Sequence, residues 1–205
     1  MNTTTRLLTL AALSGALAAC ASAPPPKPAP VPQHRLQHAM ANIGPASASL
    51  VSGRLAITAI DGGVRIEGDL GGLAPNGIHA IHVHERGDCS AADASSAGGH
   101  FNPGGMPHGQ AGEGPHHLGD MNNLHANAEG VAHVDIRLLG VTLGSGAAND
   151  ILGRAIVVHA MPDDYHSQPA GNAGARVGSG AVSLCPADTF SAATAVRFLL
   201  NCESQ

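Results

Sequence analysis

The sequence predicts an all-β domain folded as a β-sandwich or flattened barrel. Short segments of alternating apolar and polar residues recur along the chain and are separated by glycine-rich loops, and 27 of the 205 residues are glycine. No segment between residues 46 and 160 has a convincing helical period. Many short strands joined by such loops are typical of sandwiches and barrels.

The clearest pair of strands is a hairpin. Residues 49–60 and 64–70 alternate, and the turn signal Asp61-Gly62-Gly63 separates them, which is the pattern of two antiparallel strands joined by a tight turn. Further strands are predicted at 130–137, 152–159 and 177–184.

One more strand candidate, residues 77–84, carries histidines. Successive side chains of a strand point to opposite faces, so His82 and His84 share one face while Val83 points into the core. Two imidazoles about 6–7 Å apart along a strand can bind one metal ion. The same pair would also fit two histidines with only hydrogen-bonding roles.

Two long segments, residues 85–120 and 160–176, have little strand pattern, and loops of this length are usually functional or disordered. Potential metal ligands are spaced through and beside the first loop, and a metal bound by them would order that loop. Imidazole suits copper and zinc, and carboxylate also suits zinc. Two four-coordinate ions would need eight ligands, so seven residues suffice only if one imidazole is shared. The candidates are His82, His84, His100, His108, His117, Asp120 and His159.

The overall composition limits the classes of function. A chain of this length predicts one domain with appendages, and 43% hydrophobic residues are enough to bury a core. The net charge of -5 and the single lysine, Lys27, argue against a nucleic-acid partner, because phosphate binding depends on clustered Lys and Arg.

The N-terminus predicts export. Residues 1–19 have a charged start at Arg6 followed by a short apolar run, as in a secretory signal peptide. The run ends in Leu17-Ala18-Ala19-Cys20, which resembles the lipobox of bacterial lipoproteins and implies a lipidated Cys20 anchored in a bilayer. Ala21 resembles the outer-membrane sorting pattern. The alternative is an ordinary signal peptide cleaved near this point.

The remaining boundaries follow from composition. Residues 20–45 are rich in proline and predict an extended tether between the lipid and the domain. The folded domain is expected at residues 46–184. Residues 185–205 form a C-terminal extension that either starts a helix near Pro186 or stays disordered.

Several motifs together resemble the copper–zinc superoxide dismutases in their bacterial envelope form. The resemblance covers roughly residues 46–182 and implies an eight-stranded Greek-key barrel that converts superoxide to dioxygen and hydrogen peroxide. The motifs are Gly77–Glu85, Gly87-Asp88-Cys89, Ser96–Pro103, His117–Asp120, Gly153–His159 and Gly171–Arg176.

The resemblance also implies roles for individual residues. Copper would be bound by His82, His84, His100 and His159, and zinc by His100, His108, His117 and Asp120. His100 would be the shared imidazolate and would store a proton during turnover, while Arg176 would attract the superoxide anion, with Arg86 as a weaker contributor. Asp163, rather than Asp164, would link a copper histidine to a zinc histidine, and His79 would brace the site without binding metal. His116 is the nearest rival to His117.

The sequence departs from the family at one cysteine. The family joins the cysteine at Cys89 to a second one in the last strand, where this chain has Ser179. Lipidation of Cys20 would leave Cys89, Cys185 and Cys202, so the partner of Cys89 stays open between the last two. A strand that continued past Ser179 would place Cys185 about 20 Å farther along.

These features predict a lipid-anchored copper–zinc superoxide dismutase in the periplasm. It is expected to bind no nucleic acid and to act as a monomer or homodimer. One alternative is a lipoprotein on the same fold that binds or delivers copper without turnover, and another is a structural envelope lipoprotein. The complete ligand set and Arg176 favour the enzyme.

Overall fold

The computed structural model describes residues 38–184, and within this range the secondary structure is almost entirely β. The only helical element there is a single 3₁₀ turn at Ser95–Ala97. The nine strands are β1 (His38–Pro45), β2 (Ser52–Ile60), β3 (Gly63–Gly71), β4 (Ile78–His79), β5 (Ile81–His84), β6 (Leu124–His125), β7 (Ala132–Leu139), β8 (Ala155–His159) and β9 (Arg176–Leu184).

Seven of the strands form one antiparallel sheet in the order β5-β8-β9-β1-β2-β3-β7, and β4 pairs with β6 in a separate ribbon. The all-β class is confirmed. The histidine strand is divided in two at Ala80, whose N–H donates to Met161 O and whose carbonyl accepts from His159 N. The chain therefore leaves β6 at this residue and joins β8, which gives nine strands where the resemblance implied eight.

The predicted hairpin is confirmed as β2 and β3. Ile60 pairs with Gly63, so Asp61 and Gly62 form a two-residue turn, and Gly62 has a positive φ of 78°, which glycine adopts without strain. Leu55 and Ile66 lie on the buried face of the pair, as the alternation predicts.

Strand β1 corrects the predicted domain boundary at residue 46. Its residues fall in the segment assigned to the tether, yet β1 pairs with β2 on one side and β9 on the other. Ala39, Ala41 and Ile43 are buried, so the folded domain includes residues 38–45. The signal peptide, Cys20, the earlier part of the tether and the extension at 185–205 lie outside the described residues.

The core fixes the first long loop against β5. Val83 is fully buried in the core, and its N–H donates to Gly119 O while its carbonyl accepts from Phe101 N. A Cβ at Gly119 would come within 2.2 Å of Val83 O, so this close approach requires glycine. These bonds bring the loop histidines to the strand histidines. Within residues 38–184, no helix is long and apolar enough to span a bilayer.

Candidate metal centre

A first cluster of four histidines forms where β5, β8 and the first long loop meet. His82 and His84 come from β5, His159 ends β8, and His100 comes from the loop as the bridge partner of His84. All four are buried, and one ring nitrogen of each lies within 4.8 Å of the others. This is the set that the resemblance implied for copper.

A second cluster adjoins the first and shares His100 with it. Its other members are His108, His117 and Asp120, again buried and with ligand atoms within 4.8 Å of one another. Asp120 Oδ1 lies 2.8 Å from His100 Nδ1, 3.1 Å from His108 Nδ1 and 3.2 Å from His117 Nδ1. Three imidazoles and one carboxylate thus converge, as implied for zinc.

The histidine nitrogens test whether these residues fit metal ions. Buried polar atoms are nearly always hydrogen-bonded, yet five ring nitrogens of the two clusters are buried without a hydrogen-bond partner. They are His82 Nδ1, His84 Nε2, His100 Nε2, His108 Nδ1 and His159 Nε2. Metal coordination satisfies such nitrogens. An all-imidazole set suits copper, and a set of three imidazoles with a carboxylate suits zinc, so the residues present fit both ions.

Burial keeps His82, His84 and His159 neutral. It lowers the pKa of His84 to about 2 and that of His159 to about 4, and it lowers the pKa of His82 well below its usual value. Burial alone would raise the pKa of Asp120, but hydrogen bonds from His100 and from the backbone N–H of His117 hold it below its usual range. Neutral imidazoles and an ionised carboxylate are the forms that bind metal.

Asp163 connects the two clusters. Its side chain is buried, with Oδ2 2.8 Å from His82 Nε2 and Oδ1 2.9 Å from His108 Nε2. Asp164 is exposed and instead accepts bonds from the backbone N–H groups of His166 and Ser167. The geometry agrees with the choice of Asp163 over Asp164. By accepting from the outer nitrogens, Asp163 turns Nδ1 of both rings toward the clusters.

Arg176 lies beside the first cluster. It is the cross-strand partner of His159 between β8 and β9, and its guanidinium donates to Ala94 O at 2.6 Å and Gly98 O at 2.7 Å. Burial lowers its pKa while the nearby Asp93 raises it. Arg86 instead donates to Ser96 O.

His79 and His116 stand outside both clusters. His79 is buried and donates from Nδ1 to His159 O at 2.9 Å, so it braces a member of the first cluster. His116 is half-buried and donates to Gly114 O. The geometry therefore places His117, and not its neighbour His116, with the second cluster.

Cys89 has no cysteine partner within residues 38–184. It is half-buried and packs against a small buried cluster made of Ala97, Ala155 and Val157, and Ser179 lies directly across β8–β9 from Val157. The candidate partners Cys185 and Cys202 lie outside the described residues.

Three residues around the site were not identified from the sequence. The side-chain amides of Asn123 and Gln168 bind the backbone of Asp163 and His108, and the Gly98 carbonyl accepts from two site residues. No periodicity or motif marks amides in long loops. Of the three residues, only Gly98 was marked in the sequence, because it lies in the glycine-rich motif that precedes His100.

A comparison with family models matches residues 51–182 to copper/zinc superoxide dismutase (SODC). Two relatives from Aquifex aeolicus (strain VF5) are named superoxide dismutase [Cu-Zn] 2 and 1. The first is 43% identical over 136 residues, covering 64% of this chain and 79% of the relative. The second is 42% identical over 134 residues, covering 63% and 79%.

Solved structures are also similar to this chain in sequence and fold. A SOD-like protein from Bacillus subtilis is 33% identical with a TM-score of 0.64, over 70% of this chain and 97% of that one. The clock protein EA4 is 32% identical with a TM-score of 0.66, over 74% of this chain and 96% of that one. With most of its β domain matched by the family model, the chain belongs to the copper/zinc superoxide dismutase family.

Proposed function

We propose that this protein converts two superoxide anions and two protons to dioxygen and hydrogen peroxide. Copper would be held by His82, His84, His100 and His159, and zinc by His100, His108, His117 and Asp120. The observation that carries the proposal is the pair of buried clusters that share His100 and contain partnerless imidazole nitrogens. Bound copper supplies one-electron redox chemistry, and bound zinc supplies a fixed positive charge.

The chain's own residues guide the anion and the protons. A guanidinium attracts and orients a small anion, and Arg176 is held next to the copper-binding set by two backbone carbonyls. His100 has Nε2 in the first cluster and Nδ1 in the second, where Asp120 lies 2.8 Å away. Its Nε2 is therefore the atom that can hold a proton on the copper side.

We also propose that the protein works in the periplasm as a lipoprotein. The signal peptide at residues 1–19, the lipobox ending in Cys20 and the proline-rich segment that follows support an anchor in a bacterial membrane, with Ala21 favouring the outer membrane. From there the enzyme would protect the envelope against extracellular superoxide. Whether it acts as a monomer or a homodimer stays a prediction.

The copper-delivery alternative is not favoured. A carrier has no use for an anion-binding guanidinium beside copper, yet Arg176 is fixed there by two hydrogen bonds. A purely structural lipoprotein would need neither cluster, and both clusters are complete.

The test is superoxide dismutation by purified protein lacking residues 1–20, loaded with copper and zinc, with metal content measured alongside. We expect one copper and one zinc per chain and a rate constant near the diffusion ceiling of about 10⁹ M⁻¹s⁻¹. His117→Gln should lose zinc, and the matched control His116→Gln should keep it. Full metal content without turnover would contradict the proposal and support the carrier.

A further inference from the structure

Two side-chain amides form hydrogen bonds to the backbone between the two long loops. Asn123 follows the first loop and contacts Asp163 in the second. The Asp163 N–H donates to Asn123 Oδ1 at 2.8 Å, and Asn123 Nδ2 donates to Asp163 O at 2.9 Å. A primary amide offers both a donor and an acceptor, so it can satisfy both backbone groups of one residue as a neighbouring strand would.

Gln168 makes the reciprocal contact. It belongs to the second loop and contacts His108 in the first. The His108 N–H donates to Gln168 Oε1 at 2.9 Å, and Gln168 Nε2 donates to His108 O at 2.9 Å. The second loop and the segment just after the first loop thus each supply one amide, and each amide holds the backbone of one residue in the opposite loop.

The two residues that are held also bind each other. His108 Nε2 donates to Asp163 Oδ1 at 2.9 Å, and the second carboxylate oxygen reaches His82. The amides therefore fix both ends of the bond that joins the two clusters. Tyr165 adds a further restraint, because its N–H donates to Asp163 Oδ1 at 2.7 Å and its hydroxyl accepts from the Asn123 N–H.

The space around this carboxylate is also closed. Gly171 has a φ of 65°, and a Cβ there would lie 1.8 Å from Asp163 Oδ1 and 2.8 Å from His108 Nε2. With hydrogen bonds from His82, His108 and the Tyr165 N–H and no room beside it, the carboxylate has one position. Loss of either amide would free the backbone of Asp163 or of His108, the two residues whose hydrogen bond joins the clusters.

We propose that Asn123 and Gln168 are positioning residues that hold Asp163 between His82 and His108 and thereby couple the metal sites. This inference rests on the proposed copper and zinc sites. Neither amide is a metal ligand, but each acts on ligand orientation through the backbone of Asp163 or His108.

The experiment uses the mature full-length protein and the near-isosteric variants Asn123→Leu and Gln168→Met. Zinc affinity is measured by chelator competition, and the zinc site is probed by the visible spectrum of substituted cobalt(II). Each variant should lose about tenfold in zinc affinity, the lower end for outer-shell partners of metal ligands, and should shift the cobalt bands. The controls Asn122→Leu, next to Asn123, and Gln110→Met, in the first loop, make the same changes of residue type and should do neither.

A second comparison separates positioning from general stabilisation. In an Asp163→Asn background, adding Gln168→Met should change zinc affinity little, because residues that act through one group are non-additive. If a leucine or methionine variant fails to fold, Asn123→Asp and Gln168→Glu retain size and the acceptor while removing the donor. An unmodified protein that binds no zinc would refute the proposed function. Zinc binding by the unmodified protein, with amide variants equal to their controls or fully additive with Asp163→Asn, would refute the positioning role.

Discussion

Arg176 and His84 donate hydrogen bonds to the same acceptor, the carbonyl oxygen of Gly98, at 2.7 and 2.9 Å. Gly98 follows the 3₁₀ turn and has a φ of 78°, a left-handed conformation that glycine adopts without strain. One backbone carbonyl therefore fixes the guanidinium relative to an imidazole of the first cluster. Arg176 and this cluster keep a set spacing because both are tied to the same peptide.

The first prediction concerns Arg176→Glu. Replacing the guanidinium by a carboxylate repels the anion at the site, so we expect the rate constant for superoxide to fall by about ten- to a hundredfold. The unmodified enzyme should slow as ionic strength rises, because salt screens attraction, and the variant should lose that trend. Pulse radiolysis over a salt series measures both effects.

The matched control for this prediction is Arg137→Glu, which makes the same charge change at an exposed position of β7. It should retain most of the rate. An equal loss in both variants would show that only net charge matters, and full activity in Arg176→Glu would remove the steering role.

The second prediction concerns Asp163→Asn. The carboxylate accepts from both His82 and His108, whereas an amide has one oxygen and would turn its NH₂ toward one of the two donors. We expect zinc affinity to fall by about 10–100-fold, measured by chelator competition. Asp164→Asn, at the exposed neighbour, serves as the control and should bind zinc normally. Unchanged affinity in Asp163→Asn would mean that the ligands hold their orientation unaided.

Part of the clustering could be predicted from the sequence, because two of its members belong to one short local pattern. Period-two alternation alone places His82 and His84 on one face and Val83 in the core, and all three are buried as expected. Spacing alone could not bring His100 or Asp120 to that face, because their approach depends on loop hydrogen bonds to the Val83 backbone. The resemblance supplied that part.

What the sequence did not predict has two physical causes. Strand β1 was missed because its inward residues, Ala39 and Ala41, are small and favour strands weakly, and it directly follows the proline-rich segment. The amides of Asn123 and Gln168 were missed because they act in loops, where no periodicity indicates which backbone groups lack a partner. Tertiary packing, rather than local sequence, decides both features.

The third prediction concerns the metal-free protein in acid. The folded-state pKa values of His84 and His159 are about 2 and about 4, below the unfolded value of about 6.5. Between these values the unfolded chain binds more protons, so stability is full above about pH 6.5 and decreases as the pH falls toward about 4. Each such imidazole contributes up to about 1.4 kcal/mol per pH unit.

Urea unfolding of metal-free protein over a pH series measures this slope. His159→Gln removes one of the buried imidazoles and should give a shallower slope, whereas the control His125→Gln, at an exposed position of β6, should not. A stability that is flat across this range would show that the buried histidines become protonated in the folded state without cost.

The fourth prediction concerns Cys20→Ser. Lipidation requires the thiol, so the variant should lose the acyl mass and move from the membrane fraction to the soluble fraction of the envelope. Cell fractionation and mass spectrometry of the N-terminal peptide measure both. Cys202→Ser is the control and should stay in the membrane fraction. If the wild-type protein is soluble and its N-terminus lies near Ala19 or Ala21, the segment is an ordinary signal peptide.

The last prediction concerns Ser179→Cys. Cys89 packs against the buried cluster that contains Val157, and Ser179 is the direct partner of Val157 across β8–β9, so Ser179 and Val157 present their side chains on one face about 5 Å apart. A cysteine at position 179 should therefore lie within disulfide distance of Cys89. By contrast, β9 continues through Leu184, which carries the strand about 17 Å beyond Ser179.

The experiment removes the competing thiols with Cys185→Ser and Cys202→Ser. In that background Ser179→Cys should form a bridge to Cys89, seen by peptide mass mapping without reductant, and should raise the free energy of unfolding by about 2–4 kcal/mol. Ser183→Cys, exposed on the same strand, is the control and should stay reduced. If Ser179→Cys also stays reduced, the thiol of Cys89 points away from β9. The loop that carries Cys89 would then follow a different path from that of the family, and the serine at position 179 would not be the sole reason that the disulfide is absent.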